Sequence, residues 1–172
     1  MPHRIGRLIL IPATCLAALL YTADAGAQMF VPNGKDTLRM LPGVEVLVEP
    51  FEPELKGSGI SERAIAADVT AQLRAGGIRV YPNQVQNPSP GKPYLYVQVS
   101  GFALERQGYV IALQTHLRQS VRSLATESTI VNAMTWDRAI VFLAPAAGAA
   151  AAVRQEVQRL VAEFVKDWAA TR

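Results

Sequence analysis

The chain has 172 residues, half of them apolar and 18% charged, which is the composition of one folded domain. It carries 17 Lys and Arg against 14 Asp and Glu, a net charge of +3, and the basic residues are scattered. Because nucleic-acid binding needs a clustered basic surface, we expect no nucleic-acid partner. One cysteine and two histidines exclude a disulfide framework and a Cys/His cage around a metal.

The first 27 residues have the three parts of a secretory signal peptide. A basic start is followed by an apolar stretch over 8–20 and by small residues over 23–27. Cleavage after Ala25 or after Ala27 fits the small-x-small rule. We prefer the second site, which begins the mature chain at Gln28.

An uncleaved anchor and a lipoprotein are the alternatives for this segment. The apolar stretch is shorter than the ~20 residues of a membrane-spanning helix. Cys15 lies inside that stretch and follows no Leu-small-small box, so we interpret it as a hydrophobic residue that is removed with the leader. The mature chain would then be free of cysteine, with His116 as its one histidine. We expect an exported, periplasmic protein with no stable membrane insertion after cleavage.

Residues 28–42 are predicted to form a flexible lead-in, and residues 43–172 a single domain. Valine at every second position predicts a strand over 44–48. A helix begins after Ser61, a favourable N-cap, and ends at Gly76-Gly77. Its apolar side chains recur every four residues, at Ile65, Val69 and Leu73. The short strand over 78–81 should lie parallel to the first, through a right-handed crossover.

The second half of the chain predicts longer strands and a final helix. Alternation predicts strands over 94–100, 109–122 and 129–137, the last extended over 140–143 after a bend. In the third of these strands we expect one face to carry Ile130, Met134 and Trp136. The helix is indicated by an apolar stripe of Val153, Val157, Leu160, Val161, Phe164, Val165 and Trp168.

The strands of this half have one polar and one apolar face, so the helices need only one side of the sheet. We predict an α+β fold. It is a two-layer sandwich with a mostly antiparallel sheet of four to five strands and two helices on one face.

The chain has no strong catalytic motif. It lacks a Gly-x-Ser-x-Gly elbow, a phosphate-binding loop and a His-Glu-x-x-His sequence. His116 lies in mid-strand, and Ser120 is too far along the same face for a direct hydrogen bond, so a hydrolase centred on His116 is the least favoured function. We predict a protein that is not an enzyme, with no catalytic residues and no cofactor.

Two further patterns have ordinary structural explanations. Gly57-Ser58-Gly59 precedes a helix, but no lysine follows in register, so we interpret it as a loop before a cap rather than as an anion site. A cluster of acidic residues is interpreted as a charged edge rather than as a calcium site: Glu45, Glu49, Glu52 and Glu54. We therefore predict no metal.

Aromatic side chains lie on the polar face of the predicted sheet. Tyr94, Tyr96 and Phe102 share the alternation opposite to the core. If this face is open, it suits contact with a partner, because tyrosine offers a large area with a polar tip. The alternative is that the N-terminal segment or a loop covers it. With His116, these are the candidate partner-binding residues.

The chain resembles a group of small exported bacterial proteins of unknown function. The resemblance covers nearly all of the mature chain and rests on the segments 43–49, 73–80 and 93–99, the pair Thr135-Trp136, and 163–167. The order of elements is also similar to that of periplasmic α+β modules such as the amino-terminal domain of TolB. Where many relatives have glycine soon after the Thr-Trp pair, this chain has Asp-Arg. The resemblance implies no catalytic residues.

The expected function is that of a non-enzymatic protein-binding or envelope-assembly module in the periplasm. Its partner would be another envelope protein, or a second copy of itself. The alternative is a small-ligand-binding protein with a cleft between the sheet and the proline-rich loop over 82–93.

Overall fold

The computed structural model describes residues 34–172 except 57, 105 and 106. The signal peptide predicted over 1–27 and the start of the lead-in, 28–33, lie outside the described residues. In chain order the elements are a 3-10 helix (Gly34–Leu38), β1 (Val44–Val48), α1 (Pro53–Lys56), α2 (Glu62–Ala75), β2 (Val80–Tyr81), β3 (Tyr94–Leu104), β4 (Gly108–Arg122), β5 (Thr129–Ala144) and α3 (Ala149–Ala169).

The strands form one mixed sheet of five in the order β2-β1-β3-β4-β5. β1 lies parallel to both of its neighbours, which confirms the predicted parallel pairing of the first strand with the short strand that follows α2. The pairs β3–β4 and β4–β5 are antiparallel and much longer. The predicted α+β sandwich, with a mostly antiparallel sheet, is confirmed.

The two long helices pack side by side on one face of the sheet, α2 over β1 and α3 over β4 and β5. Of the predicted apolar stripe on α3, every member is buried except Val165, which is partly buried. Val165 packs against Gly76 at the end of α2, where a Cβ would come within 2.6 Å of a valine methyl group. The glycine therefore lets the helices approach closely at this point.

Both ends of α2 are capped as the sequence predicts. The Ser61 hydroxyl accepts a hydrogen bond from a backbone N–H in the first turn. At the other end, the Ile78 N–H donates to the Leu73 carbonyl at 2.9 Å and the Gly77 N–H donates to the Arg74 carbonyl at 3.0 Å. Gly77 has φ +82°, which completes a Schellman motif that glycine adopts without strain.

The described part of the lead-in packs against the domain. Residues 34–38 form a 3-10 helix, and Leu38 and Leu41 are core residues. The Thr37 hydroxyl donates to the Thr135 carbonyl of β5 at 3.0 Å. Two leucines spaced three apart supply enough apolar surface to hold this short helix, a signal too brief to stand out in the sequence.

β5 runs without interruption over the bend that the sequence suggested, and its irregularities lie earlier. Thr135 is an extra residue opposite β4, and Asn132 has a left-handed φ of +57°. The extra residue reverses the alternation, because successive side chains point to opposite faces. Trp136 is therefore buried, whereas Met134 is 57% exposed. The prediction that these two share a face with Ile130 is wrong.

A buried carboxylate joins β5, α3 and the lead-in. Asp167 accepts hydrogen bonds from the Trp136 indole at 3.1 Å and from Arg138 at 2.7 Å, and it forms an ion pair with Lys35 at 2.8 Å. Burial is the largest single effect and opposes its ionisation, but the hydrogen bonds from Lys35 and Trp136 and the charges of Lys35 and Arg138 together lower the pKa of Asp167.

Replacing Asp167 with alanine should destabilise the fold. The Trp136 N–H, Arg138 and Lys35 would lose a shared acceptor, two of them at buried or half-buried positions. We expect Asp167→Ala to lower the free energy of unfolding by about 2–4 kcal/mol, measured by urea denaturation. Glu127→Ala, which removes an exposed ion pair with Arg122, should cost less than about 0.5 kcal/mol. Equal losses for both variants would contradict this role of Asp167.

Candidate functional site: the open face of the sheet

The side chains that alternate with the core form the face of the sheet turned away from α2 and α3. We call this surface the open face. Neither α2 nor α3 packs over it, while Glu52 and Pro53, at the start of α1, border it at one end and the loop 82–93 borders it at the other. Along β3, β4 and β5 it carries Tyr94, Tyr96, Gln98, Ser100 and Phe102; Val110, Ala112, Gln114, His116 and Arg118; and Asp137, Ala139, Val141 and Leu143.

Aromatic and cationic side chains gather at one end of the open face. Tyr96 and His116 are cross-strand neighbours whose rings stack at 5.1 Å with an interplanar angle of 6°. Tyr94 meets Tyr96 edge-on at 6.3 Å, and the Arg118 guanidinium lies over the Tyr96 ring at 5.3 Å. We call these four residues the aromatic cluster.

Burial and neighbouring charges shift the pKa values of two residues in the aromatic cluster, Tyr96 and His116. Burial is the main cause that raises the pKa of Tyr96, and the neighbouring Glu49 carboxylate raises it further. Burial also lowers the pKa of His116, as does the nearby Arg118. Asp137 and Glu49 act against that shift but do not reverse it. The His116 ring is therefore held in its neutral form.

Within the aromatic cluster, His116 is buried, while Tyr94, Tyr96 and Arg118 are half-buried. His116 is 3% exposed. Its Nε2 has no hydrogen-bond partner among the described residues, and the same is true of buried atoms on Glu49 and Arg118. A general base must lie within hydrogen-bond reach of the proton it takes, and the buried ring offers no such approach as it stands. The arrangement is suited to holding Tyr94 and Tyr96 in fixed positions.

The other end of the open face is apolar. Phe102, Val110 and Leu143 face one another across β3, β4 and β5, and Ala112 and Val141 form part of the next row. Phe102 is 54% exposed, Val141 69% and Leu143 56%. We call these five residues the apolar band. Contiguous exposed apolar surface of this kind is typical of protein-contact and ligand sites.

A cleft of about 650 Å³ opens beside the apolar band. It lies between β3, β4 and the start of α1, and its lining is mostly apolar with one carboxylate: Glu52, Pro53, Ser100, Gly101, Phe102, Val110 and Ala112. The ligand cleft predicted from the sequence lay instead between the sheet and the loop 82–93, and no residue of that loop lines the cleft described here. That loop is joined to the sheet, since the Ser120 N–H of β4 donates to the Gly91 carbonyl at 2.9 Å and the Gln84 amide donates to the Glu45 carboxylate of β1 at 2.6 Å.

The structure brings together three of the four candidate partner-binding residues. Tyr94, Tyr96 and His116 are in contact, whereas Phe102 lies six positions along the strand from Tyr96, about 20 Å away. Val141 and Leu143 were not among the predicted partner-binding residues. Their alternation with Asp137 would have placed them on the same face as His116, had 137–143 been taken as one strand.

The described residues hold no group of three His, Cys, Asp or Glu side chains arranged for a metal ion. Of the acidic residues singled out above, Glu45 accepts a hydrogen bond from the Gln84 amide at 2.6 Å, and the side chain of Glu54 lies outside the described part. Gly57, from the loop before α2, also lies outside it. None of the helices in that part is both long and apolar enough to cross a membrane.

No protein-family model matches the chain, and no curated protein sequence matches it. Among solved structures it is similar to a dodecameric PelC variant from Paraburkholderia phytofirmans. The two chains are 14% identical, and the alignment covers 74% of this chain and 87% of that chain with a TM-score of 0.45. A similarity of this degree carries no argument about what this chain binds or assembles with.

The lowered pKa of His116 predicts a pH dependence of stability. In the unfolded chain His116 has its ordinary pKa of 6.5, and in the folded protein its pKa is lower. The unfolded chain therefore binds the proton more readily, and stability should fall as the pH drops below about 6.5. This one group contributes a slope of at most about 1.4 kcal/mol per pH unit. His116→Gln should remove that part of the slope in urea titrations between about pH 7.5 and 5.5. Identical slopes for both proteins would exclude a neutral, buried His116.

Proposed function

We propose that this protein is an exported, non-enzymatic protein-binding module whose open face binds another protein of the cell envelope. The apolar band carries the proposal. Phe102, Val141 and Leu143 expose large apolar side chains side by side on a regular, rigid sheet. Removing such surface from water favours association by roughly 25 cal/mol per Å².

The aromatic cluster supports a protein partner rather than a purely apolar one. Interfaces are enriched in tyrosine and arginine around an apolar centre, because these side chains combine contact area with hydrogen bonding. Tyr94 and Tyr96 are half-buried and fixed by their ring contacts, so little conformational entropy remains to be lost on binding. The partner we expect presents an apolar patch to the band and polar groups to the cluster.

The periplasmic location in this proposal rests on the order of basic, apolar and small residues over 1–27. Intact mass of the exported protein tests it, because cleavage before Gln28 removes a defined mass.

Substitutions in the apolar band should weaken the complex without unfolding the domain. A tag after Arg172 would allow the partner to be isolated from the native periplasm, identified and purified. We expect Phe102→Ser combined with Leu143→Ser to lower its affinity at least tenfold, about 1.4 kcal/mol, in titration calorimetry.

The matched control is Leu124→Ser, a leucine 97% exposed in the turn between β4 and β5, which should leave the affinity unchanged. Circular dichroism should be the same for all variants. An affinity that the double substitution leaves unchanged would contradict binding at the band.

The cleft beside the apolar band favours a second function, the binding of a small ligand. Its volume of about 650 Å³ is within the range of ligand pockets, and the Glu52 carboxylate among apolar side chains suits an apolar molecule with an amine. Such compounds should stabilise the folded protein by about 2.7 kcal/mol at a hundredfold excess over Kd, and the melting temperature should rise as a result. Ala112→Phe, which fills the cleft, should abolish this shift, whereas Ala139→Phe on the same face should not. A screen without any shift would count against this function.

A further inference from the structure

β5 is an edge strand with a long unpaired side. It has 16 residues and pairs only with β4 among the described strands. The 3-10 helix reaches its edge at Thr135, and Pro145 follows its last residue. Between these points, no backbone hydrogen bond from outside the sheet joins residues 136–144 to another described segment. We call residues 136–144 the free edge.

The free edge lacks the features that usually keep edge strands from pairing. Such strands carry exposed lysine, proline, bulges or inward charges, or they are short, as β2 is with two residues. Here both irregularities of β5 come before the free edge, and it contains no proline or glycine. Asp137 is its one exposed charge. The Arg138 guanidinium forms ion pairs with Glu163 and Asp167 and donates a hydrogen bond to the Asp137 carbonyl.

The free edge is complementary to itself. In an antiparallel pair centred on Ile140, Val141 of each copy lies opposite Ala139 of the other, and Ile140 lies opposite itself. Asp137 would face Leu143, and Arg138 would face Phe142. Like charges directly opposite one another would destabilise the pair, and this register contains none. The apolar residues meet at its centre.

We propose that two copies of this chain associate about a two-fold axis by antiparallel pairing of their free edges. The pairing would join two five-stranded sheets and satisfy backbone groups that are now exposed. It would also bring the two apolar bands side by side, since Val141 and Leu143 lie on the strand at the seam. This inference goes beyond the proposed function, which needs only one copy.

Sedimentation equilibrium of protein produced from the full chain tests the association. The wild type should be a dimer that dissociates on dilution. Val141→Asp would place a carboxylate diagonally across from Asp137 of the second copy and from the second copy's own substituted position 141. Because these like charges repel one another, we expect the dimer affinity to be at least tenfold weaker. Val131→Asp is the matched control, because it makes the same charge change on the same strand but outside the free edge. The two valines are almost equally exposed, Val131 at 68% and Val141 at 69%. Val131→Asp should leave dimerisation unchanged.

Disulfide trapping tests the register. Directly opposite residues in an antiparallel pair have Cα atoms about 4.5–5.5 Å apart, within the range that a disulfide spans. With Cys15 replaced by alanine, Ile140→Cys should therefore give a covalent dimer on oxidation, and Val131→Cys should not. If Ile140→Cys fails to fold, mixing Ala139→Cys with Val141→Cys should give the crosslink between the two variants.

A wild type that is monomeric at every concentration would overturn the inference, as would a dimer that Val141→Asp leaves intact or that these cysteines do not crosslink. The proposed function would survive those results if the envelope partner still bound and the apolar-band variants still weakened it. A dimer without any other partner would instead support the inference and contradict the proposed function.

Discussion

The packing of two helices on a five-stranded sheet determines the rest of this structure, because a single helical layer buries one face of the sheet and leaves the other. α3 supplies most of that layer with a continuous apolar stripe against β4 and β5. The close approach of Val165 to Gly76 then brings α2 alongside it, over the parallel strands. The open face is accessible to a partner because α2 and α3 cover only the other side of the sheet.

A buried polar contact fixes how the helical layer meets the edge of the sheet. Asp167 binds the Trp136 indole and Arg138 from one side and Lys35 from the other, so strand, helix and lead-in share one acceptor. Buried ionised groups are tolerated only when they are paired in this way. The contact keeps Arg138 on the helical side of β5, which leaves the exposed side of that strand almost without charge.

The open face divides into two regions with different physical properties. The aromatic cluster is half-buried and internally stacked, and it holds His116 neutral, so it acts as a rigid polar border. The apolar band exposes its side chains along three strands and extends to the free edge of β5. Recognition of an apolar surface is therefore the role that we propose for this face, with the aromatic cluster contributing orientation.

The sequence by itself determined the elements with strong periodicity and clear caps. The stripe on α3, the cap at Ser61 and the glycine stop of α2 all appear in the structure as predicted, because local spacing and backbone conformation decide them. Only the tertiary structure decided the face of Met134, the burial of Asp167 and the packing of Leu38. Each depends on a partner distant in the chain: a bulge defined by pairing with β4, an indole on β5, and a core that α3 completes.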